Sequence, residues 1–193
     1  MIGQLATIAN QLTLMRLVFV PFIIINVADG NYGWALGLFI AAGISDGLDG
    51  LLARWLKQQT IVGEYLDPIA DKLLLSSLFL VLSLMHRIPW RFTVLVFTRD
   101  VGILMVSAVL FATIGLRDFR PSIFGKLNTG AQIGAVFFVL LFELHSVPWL
   151  FIAKRGFLWL TLLFTVLSGI HYIYLVGLRV KLHSQAKGAA QSK

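Results

Sequence analysis

Apolar runs long enough to cross a bilayer, separated by short polar breaks, fill most of this 193-residue chain. A spanning helix needs about 20 residues. Six stretches fit, at 12–28, 34–52, 69–85, 92–114, 129–143 and 157–176, the fifth short unless it begins near Lys126. The breaks fall at 29–33, 86–91, 117–125 and 146–149, and Trp34, Trp90, Trp149 and Trp159 lie at or near span ends, where aromatic belts form. Composition agrees: hydrophobic residues make up 58% and charged residues only 13%, against about a quarter charged in soluble domains. Mean hydropathy is +0.86. The expected fold class is therefore all-α, a polytopic membrane bundle of six transmembrane helices. Ile2, Leu5, Ala6 and Ile8 suggest a short interfacial helix before it. A single domain over 1–183 and a disordered tail at 184–193 are expected.

The absence of cysteine excludes disulfides, thiol catalysis and zinc–thiolate sites. Met1 to Leu5 carry no basic n-region, so no cleaved signal peptide is expected. The net charge of +7 is spread between spans and in the tail, which suits anionic lipid headgroups and not nucleic acid. With the N-terminus inside, the inner segments hold Arg54, Lys57, Arg117, Arg120, Lys126, Arg179, Lys181, Lys187 and Lys193. The outer segments hold only Arg87, Arg91, Lys154 and Arg155. The positive-inside rule then puts both termini on the cytoplasmic side, along with the segment after the second span.

That segment holds four aspartates where apolar sequence should continue. It reads Ser45-Asp46-Gly47-Leu48-Asp49-Gly50-Leu51-Leu52-Ala53-Arg54, then Gly63-Glu64-Tyr65-Leu66-Asp67-Pro68-Ile69-Ala70-Asp71-Lys72. One carboxylate at the centre of a membrane helix costs roughly 2.5–3.5 kcal/mol on insertion scales. On helices, Asp46, Asp49, Gly50 and Ala53 share one face, as do Gly63, Asp67 and Asp71. If the two helices pack antiparallel, the four carboxylates converge. Oxygen ligands in that number suit Mg²⁺ or Mn²⁺, as two ions clamping a phosphoryl displacement. Gly47, Gly50 and Ala53 leave a groove for a base or pyrophosphate, and Arg54 offers a fork of donors to phosphate. The bland alternative is that the aspartates pair with Arg54, Lys57 and Lys72 and cap helices, Asp67-Pro68 resembling an N-cap and first helical position.

The order Asp-x-x-Asp-Gly-x-x-Ala-Arg, eight residues, Gly-x-x-x-Asp-x-x-x-Asp resembles the signature of the CDP-alcohol phosphotransferase family. Asp46, Asp49, Gly50, Ala53, Arg54, Gly63, Asp67 and Asp71 fill its fixed positions. The resemblance implies metal-dependent transfer of a phosphatidyl group from CDP-diacylglycerol to an alcohol, with release of CMP. It implies Asp46, Asp49, Asp67 and Asp71 as metal ligands, with Asp71 also the general base. Asp46, Gly47, Asp49, Gly50, Ala53, Arg54 and Gly63 would line the CDP site. It also implies a homodimer, here expected in a bacterial inner membrane with the active site facing the cytoplasm.

Three patches bear on the acceptor. Asn10-Gln11-Leu12-Thr13-Leu14-Met15-Arg16 is similar to the opening of the phosphatidylglycerol branch, with Ala9 where that branch has proline. Arg16 either approaches the site or snorkels to the interface. Arg99 needs a partner within an apolar span. Asp100 projects about 100° away, so a phosphate or another carboxylate is the expected counterion. Lys126 opens a Gly-Lys-x-x-Thr-x-x-Gln element and is a candidate for an acceptor phosphate. Phosphatidylglycerophosphate synthases usually carry a second arginine where Ser107 stands, so a dianionic acceptor would lose a clamp. Phosphatidylglycerol is therefore the favoured acceptor, as in cardiolipin synthases that use CDP-diacylglycerol, and glycerol 3-phosphate is the alternative. Two rival classes are a cation-coupled transporter, against which no inverted repeat is visible, and a non-catalytic lipid-binding module, which would need no base.

Overall fold

A computed structural model describes the backbone of residues 8–55, 61–114 and 123–191, and side chains within 15–45, 47, 71–106 and 123–178. Every regular element among them is a helix. They are α1 (Ile8–Ala28), α2 (Tyr32–Trp55), α3 (Ile61–Leu84), α4 (Trp90–Ile114), α5 (Ile123–His145) and α6 (Pro148–Gln191). A helix satisfies its own main-chain groups, which an apolar solvent cannot do. Each expected span lies within one of these helices, Met85 alone falling just past α3. α5 and the Pro148–Leu178 portion of α6 are long and apolar enough to cross a bilayer. The expected interfacial helix lies outside the described residues, except that Ile8 begins α1.

The helices end where turn chemistry stops them. Gly30 takes φ 75° after α1, and Asn31 N–H donates to Asn26 C=O at 2.8 Å. His86 (φ 56°) and Ser146 (φ 47°) make the same left-handed stop after α3 and α5. That conformation costs a non-glycine residue roughly 1–2 kcal/mol. Pro89 and Pro148 then restart the chain at the heads of α4 and α6. These three turns lie at one end of the bundle, and Glu143 ties them together. Its carboxylate meets Arg87 at 3.0 Å and Lys154 at 3.2 Å, and Arg87 Nε donates to Tyr32 Oη at 3.1 Å.

The most extensive packing is α5 on α6 and α1 on α2. α1 also packs on α3, α2 on α5, and α4 on α3 and α6. Between lipid-soluble helices, close fit and hydrogen bonds drive association more than burial does. Small residues make that fit: Ala35, Ala42 and Ala135 are fully buried beside Ile23, Leu78, Phe79, Leu82, Val136 and Leu140. Gly134 makes the fit closer still, because a Cβ there would come within 2.3 Å of the Phe157 ring unless that ring shifts. Ser83 donates to Thr93 at 2.5 Å, and Thr93 donates on to the Phe79 carbonyl at 3.1 Å, which pins α3 to α4.

α6 runs for 44 residues and ends at Gln191, so it continues through most of the segment expected as a disordered tail. Ala186, Lys187, Ala189 and Ala190 are strong helix formers. At ~1.5 Å per residue such a helix is longer than the hydrocarbon thickness of about 30 Å.

Candidate active site

Both halves of the aspartate pattern sit inside continuous helices. Asp46, Asp49, Gly50, Ala53 and Arg54 belong to α2, and Gly63, Asp67 and Asp71 to α3. The helical register holds the one-face spacing within each group. It also corrects the capping alternative: α3 begins at Ile61, so Asp67 and Pro68 lie within the helix and not at its start. The turn chemistry of an Asp-Pro pair was overridden by the apolar helix on both sides. The surroundings of Asp46, Asp49, Gly50, Ala53, Arg54, Gly63 and Asp67 lie outside what the structure describes. The expected meeting of four carboxylates falls there too, and no group of three metal-ligating side chains occurs among the described ones. Gly47 is exposed, and a Cβ built on it meets nothing within 4 Å, so this face of α2 is open.

Asp71 is the aspartate whose surroundings are visible. Its carboxylate, 38% exposed, accepts a hydrogen bond from Arg16 Nη1 of α1. Arg16 is 1% exposed. It therefore reaches inward to Asp71 and does not snorkel to the interface. A buried guanidinium needs such a partner, since breaking a buried ion pair costs about 3–5 kcal/mol.

The next residue, Lys72, turns to α4. Its Nζ lies 3.1 Å from Asp100 Oδ1, and Arg99 Nη1 lies 2.5 Å from the same oxygen. Arg99 Nη2 donates to Ser168 of α6. The counterion of Arg99 is thus Asp100, contrary to the expectation from its angular position. The 100° offset fixes the direction of the Cα–Cβ bond, whereas the long arginine stem carries the guanidinium back around the helix. Among the described residues, Arg16 meets Asp71, and Lys72 and Arg99 share Asp100 in this layer. The sequence offered Lys72 as a partner for the α2 and α3 aspartates, whereas it meets Asp100 of α4.

α5 contributes amides more than its lysine. Lys126 is exposed and makes no ion pair among the described residues. Asn128 and Gln132 are buried instead. Asn128 Oδ1 accepts from Thr165 at 2.9 Å, one turn of α6 away from Ser168. Asn128 Nδ2, Gln132 Nε2 and Arg99 Nε have no acceptor among the described residues. An unmet buried donor costs about 1–3 kcal/mol, so three in one layer call for an acceptor-rich, anionic guest.

Comparison with known proteins bears on what that guest is. A family model described as CDP-alcohol phosphatidyltransferase matches residues 6–167. The chain is 36% identical over 179 residues to a probable phosphatidylglycerophosphate synthase of Mycobacterium tuberculosis, covering 89% of this chain and 82% of that one. It is 34% identical over 182 residues to the CDP-diacylglycerol–glycerol-3-phosphate 3-phosphatidyltransferase of Bacillus subtilis, covering 84% and 91%. It is 32% identical over 190 residues to a probable cardiolipin synthase (CMP-forming) of Drosophila melanogaster, covering 88% of this chain and 58% of that one.

Proposed function

The chain belongs to the CDP-alcohol phosphatidyltransferase family, and from that premise we propose that its acceptor is glycerol 3-phosphate. It is a membrane-associated helical enzyme of phospholipid synthesis, moving a phosphatidyl group from CDP-diacylglycerol to a polyol. The observation that carries the acceptor is the buried polar layer. Lys72 stands beside Arg99 at the Asp100 carboxylate, and the amides of Asn128 and Gln132 hold donors unmet among the described residues. A second cation near Arg99 offsets the missing arginine at Ser107, so a phosphate monoester fits where the sequence favoured phosphatidylglycerol. The two relatives covered over most of their own length carry names with that acceptor or its product. Phosphatidylglycerol remains the second reading, supported by Ser107 itself and by the cardiolipin synthase likeness.

In the proposed reaction the acceptor hydroxyl oxygen bonds to the phosphatidyl phosphorus as the bond from that phosphorus to CMP breaks. The hydroxyl proton passes to Asp71. Arg16 holds the Asp71 carboxylate in place from α1, acting as a positioning residue and not as a direct acceptor ligand. Gly47, on the open face of α2, admits the cytidine diphosphate, and Gly50, Ala53, Arg54 and Gly63 line it further along. Lys72, Arg99, Asn128 and Gln132 bind the acceptor phosphate, with Lys126 at the entrance. The donor set fits a hard divalent cation, because carboxylates spaced by three and four residues on two helices supply only oxygen. Asp46, Asp49, Asp67 and Asp71 would hold Mg²⁺ or Mn²⁺, which neutralises diphosphate charge when bound. The aspartate end faces the cytoplasm of a bacterial inner membrane in this proposal, with six spans and a homodimer.

Lys72→Gln tests the acceptor assignment. The KM for glycerol 3-phosphate should rise roughly tenfold, as for a lost charged hydrogen bond of ~1.5 kcal/mol. The KM for CDP-diacylglycerol should stay put. An unchanged acceptor KM would remove Lys72 from the site.

A further inference from the structure

At the end of the bundle opposite the aspartates, a cavity of about 360 Å³ opens between the α3–α4 turn and the first turns of α6. That volume is in the range of small-molecule sites, about 300–1,000 Å³. Its charged lining is entirely basic: Arg87, Arg91, Lys154 and Arg155, with His86 beside them. Glu143 engages Arg87 and Lys154. Arg91 and Arg155 meet no carboxylate among the described residues. The other described acid at this end, Asp29, makes no ion pair with them.

Arg91 is held without being neutralised. Its guanidinium lies 5.2 Å from the Phe92 ring centre and 5.6 Å from that of Trp159, and those rings meet edge-on at 5.9 Å. Aromatic faces fix the planar group and leave its N–H donors for a guest. Trp90, Phe151 and Trp159 are each nearly half exposed at the cavity mouth. Amphipathic rings of that kind sit at headgroup depth, with apolar surface for acyl chains.

We propose that this cavity binds a phosphate-bearing anion, supplied by the headgroup of an acidic phospholipid. Arg91 and Arg155 take the phosphate, and Trp159 and Phe151 take the upper acyl chains. The site is separate from the transfer site. It rests on the proposed orientation only for which leaflet supplies the lipid.

The test is thermal unfolding of the full chain in neutral detergent. The probes are phosphatidic acid, which lacks the alcohol of an acceptor, phosphatidylcholine, and inorganic phosphate. At tenfold over its Kd, phosphatidic acid should raise Tm by about 3–6 °C, and phosphatidylcholine should not. The double variant Arg91→Gln/Arg155→Gln should lose that shift, and Lys187→Gln, distant in the tail, should keep it. Arg155→Gln alone, which disturbs no ring contact, should lose part of it and guards against misfolding of the double variant. The same shift from millimolar inorganic phosphate, abolished in the variants, would uphold the anion site and overturn the lipid as its source. No shift, or a shift that survives in the variants, would overturn the proposal. CMP release by the same preparations reports on the transfer reaction separately and should be unchanged by these substitutions.

Discussion

At the scale of single residues, Asp71 is where the proposed chemistry and the visible geometry meet. Asp71→Asn keeps an oxygen for Arg16 and removes the base. Turnover should fall by roughly 10²–10⁴-fold, the usual contribution of a general base, while CDP-diacylglycerol binding persists. Binding lost in step with turnover would reassign Asp71 to ground-state binding. The two helical stretches that carry the aspartates were legible because their three- and four-residue spacing is local. Arg16 was half legible: its motif was visible, but its partner stands 55 positions away and only the packing of α1 on α3 brings them together. Lys72 was legible as a cation in need of a carboxylate, but its partner Asp100 lies on α4, 28 positions away, and only packing brings them together. Arg99 was seen as needing a partner, yet stem direction alone misjudged where a flexible guanidinium ends.

At the scale of elements, helices follow from apolar length, and their ends from glycine, proline and polar clusters. That logic located the breaks after α1, α3 and α5. At Asp67-Pro68 the local turn signal gave way to the helical spacing of Gly63, Asp67 and Asp71, which α3 carries. Packing between elements was not legible at all, because the fit of small against large residues depends on neighbours remote in sequence. Gly134 shows this: its lack of a side chain admits Phe157, which stacks on Phe138 with ring centres 4.9 Å apart. Gly134→Ala gains about 1 kcal/mol of helix propensity and meets an overpacking cost of ~1–3 kcal/mol. A lower Tm is expected in a thermal unfolding scan. A rise would mean that the α5–α6 interface relaxes freely.

At the scale of the whole molecule, the bundle is divided. Toward the three turns it is an apolar core sealed by Glu143, and midway along the helices it becomes a layer of paired charges and unmet amides. Two cations sharing the Asp100 carboxylate suit an anion in that layer, and the carboxylates of α2 and α3 suit a divalent cation. Removing divalent metal with EDTA should abolish CMP release, and Mg²⁺ or Mn²⁺ should restore it. Activity that persists in the chelator would refute the metal assignment. The most direct measurement is a competition: purified protein given CDP-diacylglycerol with equal glycerol 3-phosphate and phosphatidylglycerol, and its lipid product identified by mass spectrometry. The expected product is phosphatidylglycerophosphate, formed in step with CMP. Cardiolipin as the main product would contradict the acceptor assignment, and no CMP with either acceptor would contradict the transfer reaction itself.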